Sequence, residues 1–113
     1  MFMLNPKLLC RNHLLGEHSE LHKHKHVFEK HYSITGRIYP IVLIEPENMK
    51  SRHDELAQEM LSRGYKHNSS LPKFNLNYLT NEIINYKINK IKSLNDLISR
   101  CPECRKRFNK LNN

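Results

Sequence analysis

A chain of 113 residues accommodates one domain with a single modest core and leaves no length for a second unit. It holds no apolar run long enough to cross a bilayer, and Met1 to Leu9 lack the apolar centre of a signal peptide, so a cytoplasmic protein is expected. A formal charge of +8, with 8 further histidines that charge as pH falls through about 6.5, implies an anionic partner, nucleic acid first, although a generic basic surface is the plain alternative. The cysteines, an odd 3, fit reduced thiols or metal ligands better than a disulfide framework.

Asn5 and Pro6 predict the cap and first turn of a helix reaching about Lys30, because proline fits where its missing N–H costs nothing. At about 100° per residue, His13, Glu17, Glu20 and His24 share one stripe of that helix, beside a second stripe of Leu14, His18, Leu21 and Phe28. A polar stripe bordering an apolar one suits the edge of an active site, where a half-desolvated carboxylate can act as acid or base near neutrality. Solvated helix glutamates are the simpler alternative. Gly16 costs the helix up to about 1 kcal/mol relative to Ala, which a close approach of backbone or substrate would explain.

From His31 to Glu45, punctuation by Gly36 and Pro40 predicts an extended connector with room for a short strand at Ile41 to Ile44. Met49, His53, Leu56, Ala57, Met60 and Leu61 then recur at helical spacing from about Glu47 until Gly64, where a left-handed stop is expected. Residues Tyr65 to Leu79 read as loop. Thr80 to Ile91 carries isoleucines in helical phase, and Ser93 with Asp96 resembles an N-cap opening a further helix through Leu97 and Ile98. Pro102 should break that helix or start another turn, leaving Arg105, Lys106 and Arg107 exposed as sequence-independent attraction for phosphate.

Two groups of residues have metal-ligand chemistry. Cys101-Pro102-Glu103-Cys104 is a CxxC pair, and Cys10 with His13 supplies two more donors, so a Cys3His zinc site could join the chain's two ends. Reduced thiols with Cys10 in the core are the alternative. His18/His22 and His22/His26 are i,i+4 pairs that could hold a divalent cation, with Glu20 as the carboxylate of a metal-dependent nuclease, although histidines in a basic stretch more often face solvent or phosphate. Lys23, Lys25 and Lys30, interleaved with Phe28 and Tyr32, could instead track a DNA backbone. On the second helix Lys50, Arg52 and His53 could meet phosphates, or His53 could pack in the core.

Two segments in order carry a family resemblance. His13-Leu14-x-x-Glu17-x-x-Glu20-Leu21 resembles the HLxxExxEL helix of the pyrimidine-dimer DNA glycosylases, the phage ultraviolet endonuclease V type. Arg52-x-x-Glu55-Leu56-x-x-Glu59-x-Leu61-x-Arg63-Gly64-Tyr65 is similar to that family's second helix. The resemblance implies a helical protein whose N-terminal amine attacks C1′ of a damaged nucleotide, forms an imine and cleaves the strand by β-elimination, with no cofactor required. By residue match the essential glutamate is Glu20, with Glu17 a helper and His13 near the lesion. An α-amine, with a pKa of about 7.7–8.0, is substantially neutral at cellular pH and so suits the nucleophile's role. Bulky Phe2 should leave Met1 in place as that nucleophile, with Met3 an alternative start. Ser19 and Lys23 stand where the phage-type helix carries arginines, and the phage enzyme's aromatic C-terminal segment has no counterpart.

The expectation is therefore an all-α single domain of about three main helices spanning residues 1–113, acting as a monomeric glycosylase and abasic-site lyase on damaged double-stranded DNA. It would work in the cytoplasm, or as a viral protein in a host cell. Met1 and Glu20 are the expected catalytic pair, and His13, Glu17, His22, Lys23, Arg52 and His53 the expected DNA contacts. Cys10, His13, Cys101 and Cys104 are the expected ligands of a structural zinc. The rival readings are a non-catalytic, zinc-clamped nucleic-acid-binding module and, after it, the histidine-metal nuclease.

Overall fold

Leu14, Leu21 and Phe28 recur every seventh residue, which keeps them on one side of a helix, and all are buried. That helix, α1 (Arg11–Glu29), is the spine of the computed structural model, which describes residues 1–39, 41–67 and 69–112. The fold is all-α: α2 (Thr35–Ile38), α3 (Met49–Ser62), α4 (Asn81–Ile84), α5 (Lys90–Arg100) and α6 (Pro102–Leu111) follow in chain order. Helix α3 turns Met49, Leu56 and Met60 towards α1, while Ile34, Ile38, Ile44 and Leu71 close the core from the connectors. Phe28 stacks on Phe74 with ring centroids 4.9 Å apart, which takes it out of any DNA-tracking surface.

The first helix starts later than Asn5 and Pro6 predict. Asn5 does cap a turn, its Oδ1 accepting from the Lys7 N–H at 3.0 Å, but this is a 3-10 turn, Pro6–Leu8. The chain then runs extended through Leu9 and Cys10 before α1 begins. No strand forms among the described residues, so Ile41 to Ile44 remains coil. Nothing lies within 4 Å of a Cβ built on Gly16, so the close backbone approach expected there is absent.

Gly64 stops α3 as predicted. Its φ is +81°, and the Gly64 and Tyr65 N–H groups donate to Leu61 and Met60 carbonyls in a Schellman pattern. Helix α4 is a single turn capped by Thr80, shorter than the isoleucine spacing predicts, because the buried Glu45 carboxylate accepts the Ile88 N–H at 2.9 Å and fixes the chain in an extended course there. Asn89, not Ser93, caps α5, accepting from Lys92 N–H at 3.1 Å; the Ser93 hydroxyl instead donates to the Phe2 carbonyl at 3.0 Å. Pro102 opens α6 directly, which makes four longer helices in place of three.

The charged pair between the two longest helices is fully enclosed. Arg52 of α3 donates from Nε and Nη2 to the two carboxylate oxygens of Glu17 on α1, at 2.6 and 2.9 Å, with neither side chain more than 1% exposed. Its Nη1 donates to the Leu4 carbonyl at 2.6 Å and also reaches Glu55. Burial disfavours the guanidinium's charge, but Glu17 and then Glu55 outweigh it and raise Arg52 above its ordinary range. A bidentate fork satisfied on every side is the geometry in which a buried ion pair holds. Arg52→Ala leaves Glu17 as an unpaired buried carboxylate, so it should lower the unfolding free energy by about 3–5 kcal/mol, read as a lower urea midpoint. Lys50→Ala, which breaks only the exposed pair with Asp54, should change it by no more than about 1 kcal/mol.

Candidate functional site

The amino terminus folds back onto α1. The Met1 ammonium donates to Glu20 Oε1 at 2.7 Å and to the Leu43 carbonyl at 3.1 Å, and the Met1 sulfur accepts from the Glu45 N–H. Met3 adopts φ +56°, a left-handed conformation uncommon for residues with a side chain, and this bend turns Met1 back. The Glu20 carboxylate remains 43% exposed. Together they sit in an open cleft of approximately 430 Å³, walled by Val42, Ile44 and Ile88 and rimmed by Arg37, Lys92, Asp96 and Arg100, with Lys92 paired to Asp96 at 2.8 Å and Arg100 Nε donating to the Asp96 carbonyl at 3.2 Å.

His24, one turn beyond Glu20, is buried in the cleft's inner wall. Its Nδ1 bonds the Glu20 carbonyl at 2.8 Å, while its Nε2 accepts from Arg37 Nε at 3.1 Å. With Nδ1 as the donor, both ring nitrogens are satisfied by a neutral imidazole, and burial is the main cause that lowers its pKa. Lys92 and Arg100 share α5, but their meeting with Arg37 of α2 joins segments distant in sequence, which no local spacing encodes. Arg37 was legible only as a cation after Gly36 in a connector.

Several expected DNA contacts lie elsewhere. Glu17 and Arg52 are consumed by their mutual buried pair. His53 is 1% exposed, and His22 is half-buried beside it. His13 sits among cysteines. Only Lys23 keeps an exposed side chain. In the C-terminal basic run, Arg105 is turned onto the Ile98 carbonyl and Arg107 onto that of Lys7, so two of its three cations are tied to the protein's own backbone.

The cysteines and His13 converge as the sequence suggests. Cys10 Sγ lies 3.1 Å from His13 Nδ1 and 3.9 Å from Cys101 Sγ, and Cys104 Sγ lies 3.5 Å from His13 Nδ1. Backbone N–H groups of Cys10 and Cys104 point at the sulfurs of Cys104 and Cys101. Burial pushes the Cys104 thiol up to about 12. At Cys101 slight burial is outweighed by N–H and thiol donors, chiefly those of Cys104, which hold it below its ordinary value. Three sulfurs and one imidazole nitrogen within 4.8 Å of one another suit tetrahedral coordination of a zinc-like ion.

A second convergence brings together His18 and His22 from α1, His53 from α3 and His67 from the following loop. His26, the third histidine of the expected i,i+4 series, is exposed and takes no part. Burial, then the neighbouring imidazoles of His53, His22 and His67, lower His18 to about 4. Sequence spacing could not have found His67, which sits in a loop without periodicity.

A family model for pyrimidine dimer DNA glycosylase matches residues 1–73, well over half of the chain. The chain belongs to this family. The matched span includes the folded-back amino terminus, Glu20, α1, α3 and the four converging histidines, whereas α5 and α6 lie beyond it. No curated protein and no solved structure gives a significant match. Among the described residues no helix is long and apolar enough to cross a membrane. Membership in the glycosylase family implies a DNA substrate and work in DNA repair. Arg100→Ala should weaken binding to duplex DNA and reduce the slope of log affinity against log salt by about 1, measured by fluorescence anisotropy across a salt series.

Proposed function

We propose that the chain excises damaged pyrimidines from DNA and cleaves the resulting abasic site, with the Met1 amine as nucleophile and Glu20 as its partner. The observation that carries this reading is the 2.7 Å contact between that amine and Glu20 Oε1 at the floor of an open, cation-rimmed cleft. A carboxylate at hydrogen-bond distance can accept the ammonium's proton and free the nitrogen lone pair. The lone pair attacks C1′ as the bond from C1′ to the base breaks, and the base leaves with the electron pair and a proton.

Opening of the sugar's C1′–O4′ bond then gives a protonated imine between Met1 and the deoxyribose. Glu20, on the same side of the cleft as the amine, stabilises this cation electrostatically. It also assists loss of the C2′ proton, after which the 3′ phosphate is expelled by β-elimination and water releases the amine. C1′ is shielded in a stacked duplex, so the lesion must be displaced before attack. The apolar wall of Val42, Ile44 and Ile88 suits the face of an unstacked pyrimidine, and the guanidinium ends of Arg37 and Arg100 suit the flanking phosphates, while Lys92 is paired with Asp96.

Borohydride should trap a covalent adduct between the chain and abasic or ultraviolet-irradiated duplex. Reductive methylation or acetylation of the α-amine should abolish the adduct, and Glu20→Gln should lower the strand-cleavage rate by at least about 100-fold, in the range of general acid–base contributions. An adduct that forms equally well with a blocked amine overturns the assignment of the nucleophile.

The cysteine cluster supports a structural zinc bound by Cys10, His13, Cys101 and Cys104, which would fasten the start of α1 to the α5–α6 junction. Such an ion would supply cross-linking of the fold and no step of the reaction, since four protein ligands fill a tetrahedral shell. Cys104→Ser should release one equivalent of zinc by elemental analysis and lower the thermal midpoint, and unchanged zinc content overturns the site.

A further inference from the structure

We propose that His18, His22, His53 and His67 form a second, closed metal site that takes a divalent transition ion, zinc by geometry, and locks the loop after α3 onto both long helices. All four converge through the same atom, Nε2. Their separations are 3.2 Å for His18 and His53, 3.0 Å for His22 and His53, 2.9 Å for His18 and His67, and 3.3 Å for His53 and His67. A tetrahedral ion with nitrogen ligands at about 2.0–2.1 Å needs neighbouring nitrogens roughly 3.3–3.4 Å apart. The cluster is close to that size already.

Hydrogen bonding among the rings alone cannot account for the arrangement. A bond between two Nε2 atoms needs a proton on one and a lone pair on the other. His18, His53 and His67 are mutually adjacent, so two of the three always share the same protonation state, and at least one contact sets N–H against N–H or lone pair against lone pair. A shared cation at the centre resolves this, because every Nε2 then presents a lone pair inward.

The surroundings fit the same answer. Asp54 Oδ1 lies 2.9 Å from His53 Nδ1, where it accepts the ring proton and directs the Nε2 lone pair to the centre. A carboxylate behind a metal-bound imidazole is a recurrent orienting device. The site is also separate from the cleft. Glu20 is two residues from both His18 and His22, hence about 200° round α1 from each, and its carboxylate holds Met1. With four imidazoles filling the shell and no carboxylate aimed into it, the ion would be structural and not hydrolytic. This inference does not depend on the glycosylase chemistry.

Cobalt separates the two clusters, since only the cysteine site gives a thiolate-to-metal charge-transfer band. The full-length chain loaded with Co2+ and desalted should hold two equivalents. His67→Gln and His22→Gln should each lose one equivalent and keep the thiolate band, while Cys104→Ser should lose the band and keep tetrahedral ligand-field absorption. Histidine variants that fold by circular dichroism and bind as much cobalt as the unsubstituted chain overturn the site. X-ray absorption on the unsubstituted zinc-loaded protein gives an answer even if the variants misfold. A first shell richer in nitrogen than the one nitrogen per three sulfurs of the cysteine cluster supports the site, and a shell no richer overturns it.

Discussion

The Glu17–Arg52 ion pair is the constraint on which the rest of the molecule depends. Two opposite charges removed from water hold only if each is matched on every side, and that demand fixes the register of α1 against α3 to within a hydrogen bond. The apolar stripes of both helices would tolerate small slips. The fork geometry of a guanidinium on a carboxylate would not. Because Arg52 also holds the Leu4 carbonyl, the same pair sets where the N-terminal segment crosses the helices.

Positioning of the terminal amine follows from a chain of such ties. Arg63, braced by Glu59, donates to the carbonyls of Pro6 and Leu9 at 3.1 and 2.8 Å, while Ser93 on α5 holds the carbonyl of Phe2. The Phe2 ring meets His13 edge-on at 5.6 Å, which links the segment to the cysteine cluster. Chain ends ordinarily fray. Here the backbone carbonyls of an irregular stretch are taken up one after another by side chains from three helices, and the first nitrogen ends against Glu20.

Two side-chain clusters join distant segments around a small core. At 113 residues the chain buries a modest apolar interior. The cysteine cluster joins α1 to the turn between α5 and α6, and the histidine cluster joins α1 to α3 and to the loop that brings in Leu71 and Phe74. Both clusters grow from α1, on either side of the buried glutamate. That helix therefore carries core leucines, the structural carboxylate, the site carboxylate and side chains of both clusters along 19 residues.

The sequence by itself determined the elements with strong local signals. Helical spacing around Leu14, Leu21 and Phe28 marks α1, the Met49 to Leu61 spacing with Gly64 marks α3, and Pro102 marks the end of α5, because helical periodicity and capping act over a few residues. It also offered Cys10, His13, Cys101 and Cys104 as one candidate ligand set, against reduced thiols with Cys10 in the core, and the order of the two glutamate-bearing motifs pointed to the family. Tertiary structure alone decided which polar residue of a stripe is buried and which is open: Glu17 and Glu20 are three residues apart on one helix, and only the arrival of Arg52 beside one and Met1 beside the other separates their roles. It likewise decided that Glu45 would end the Thr80 helix early, that Asn89 would cap α5 in place of Ser93, and that His67 would join three histidines from two helices. Each of those outcomes is a contact between segments distant in sequence, and no local pattern encodes the partner across such a gap.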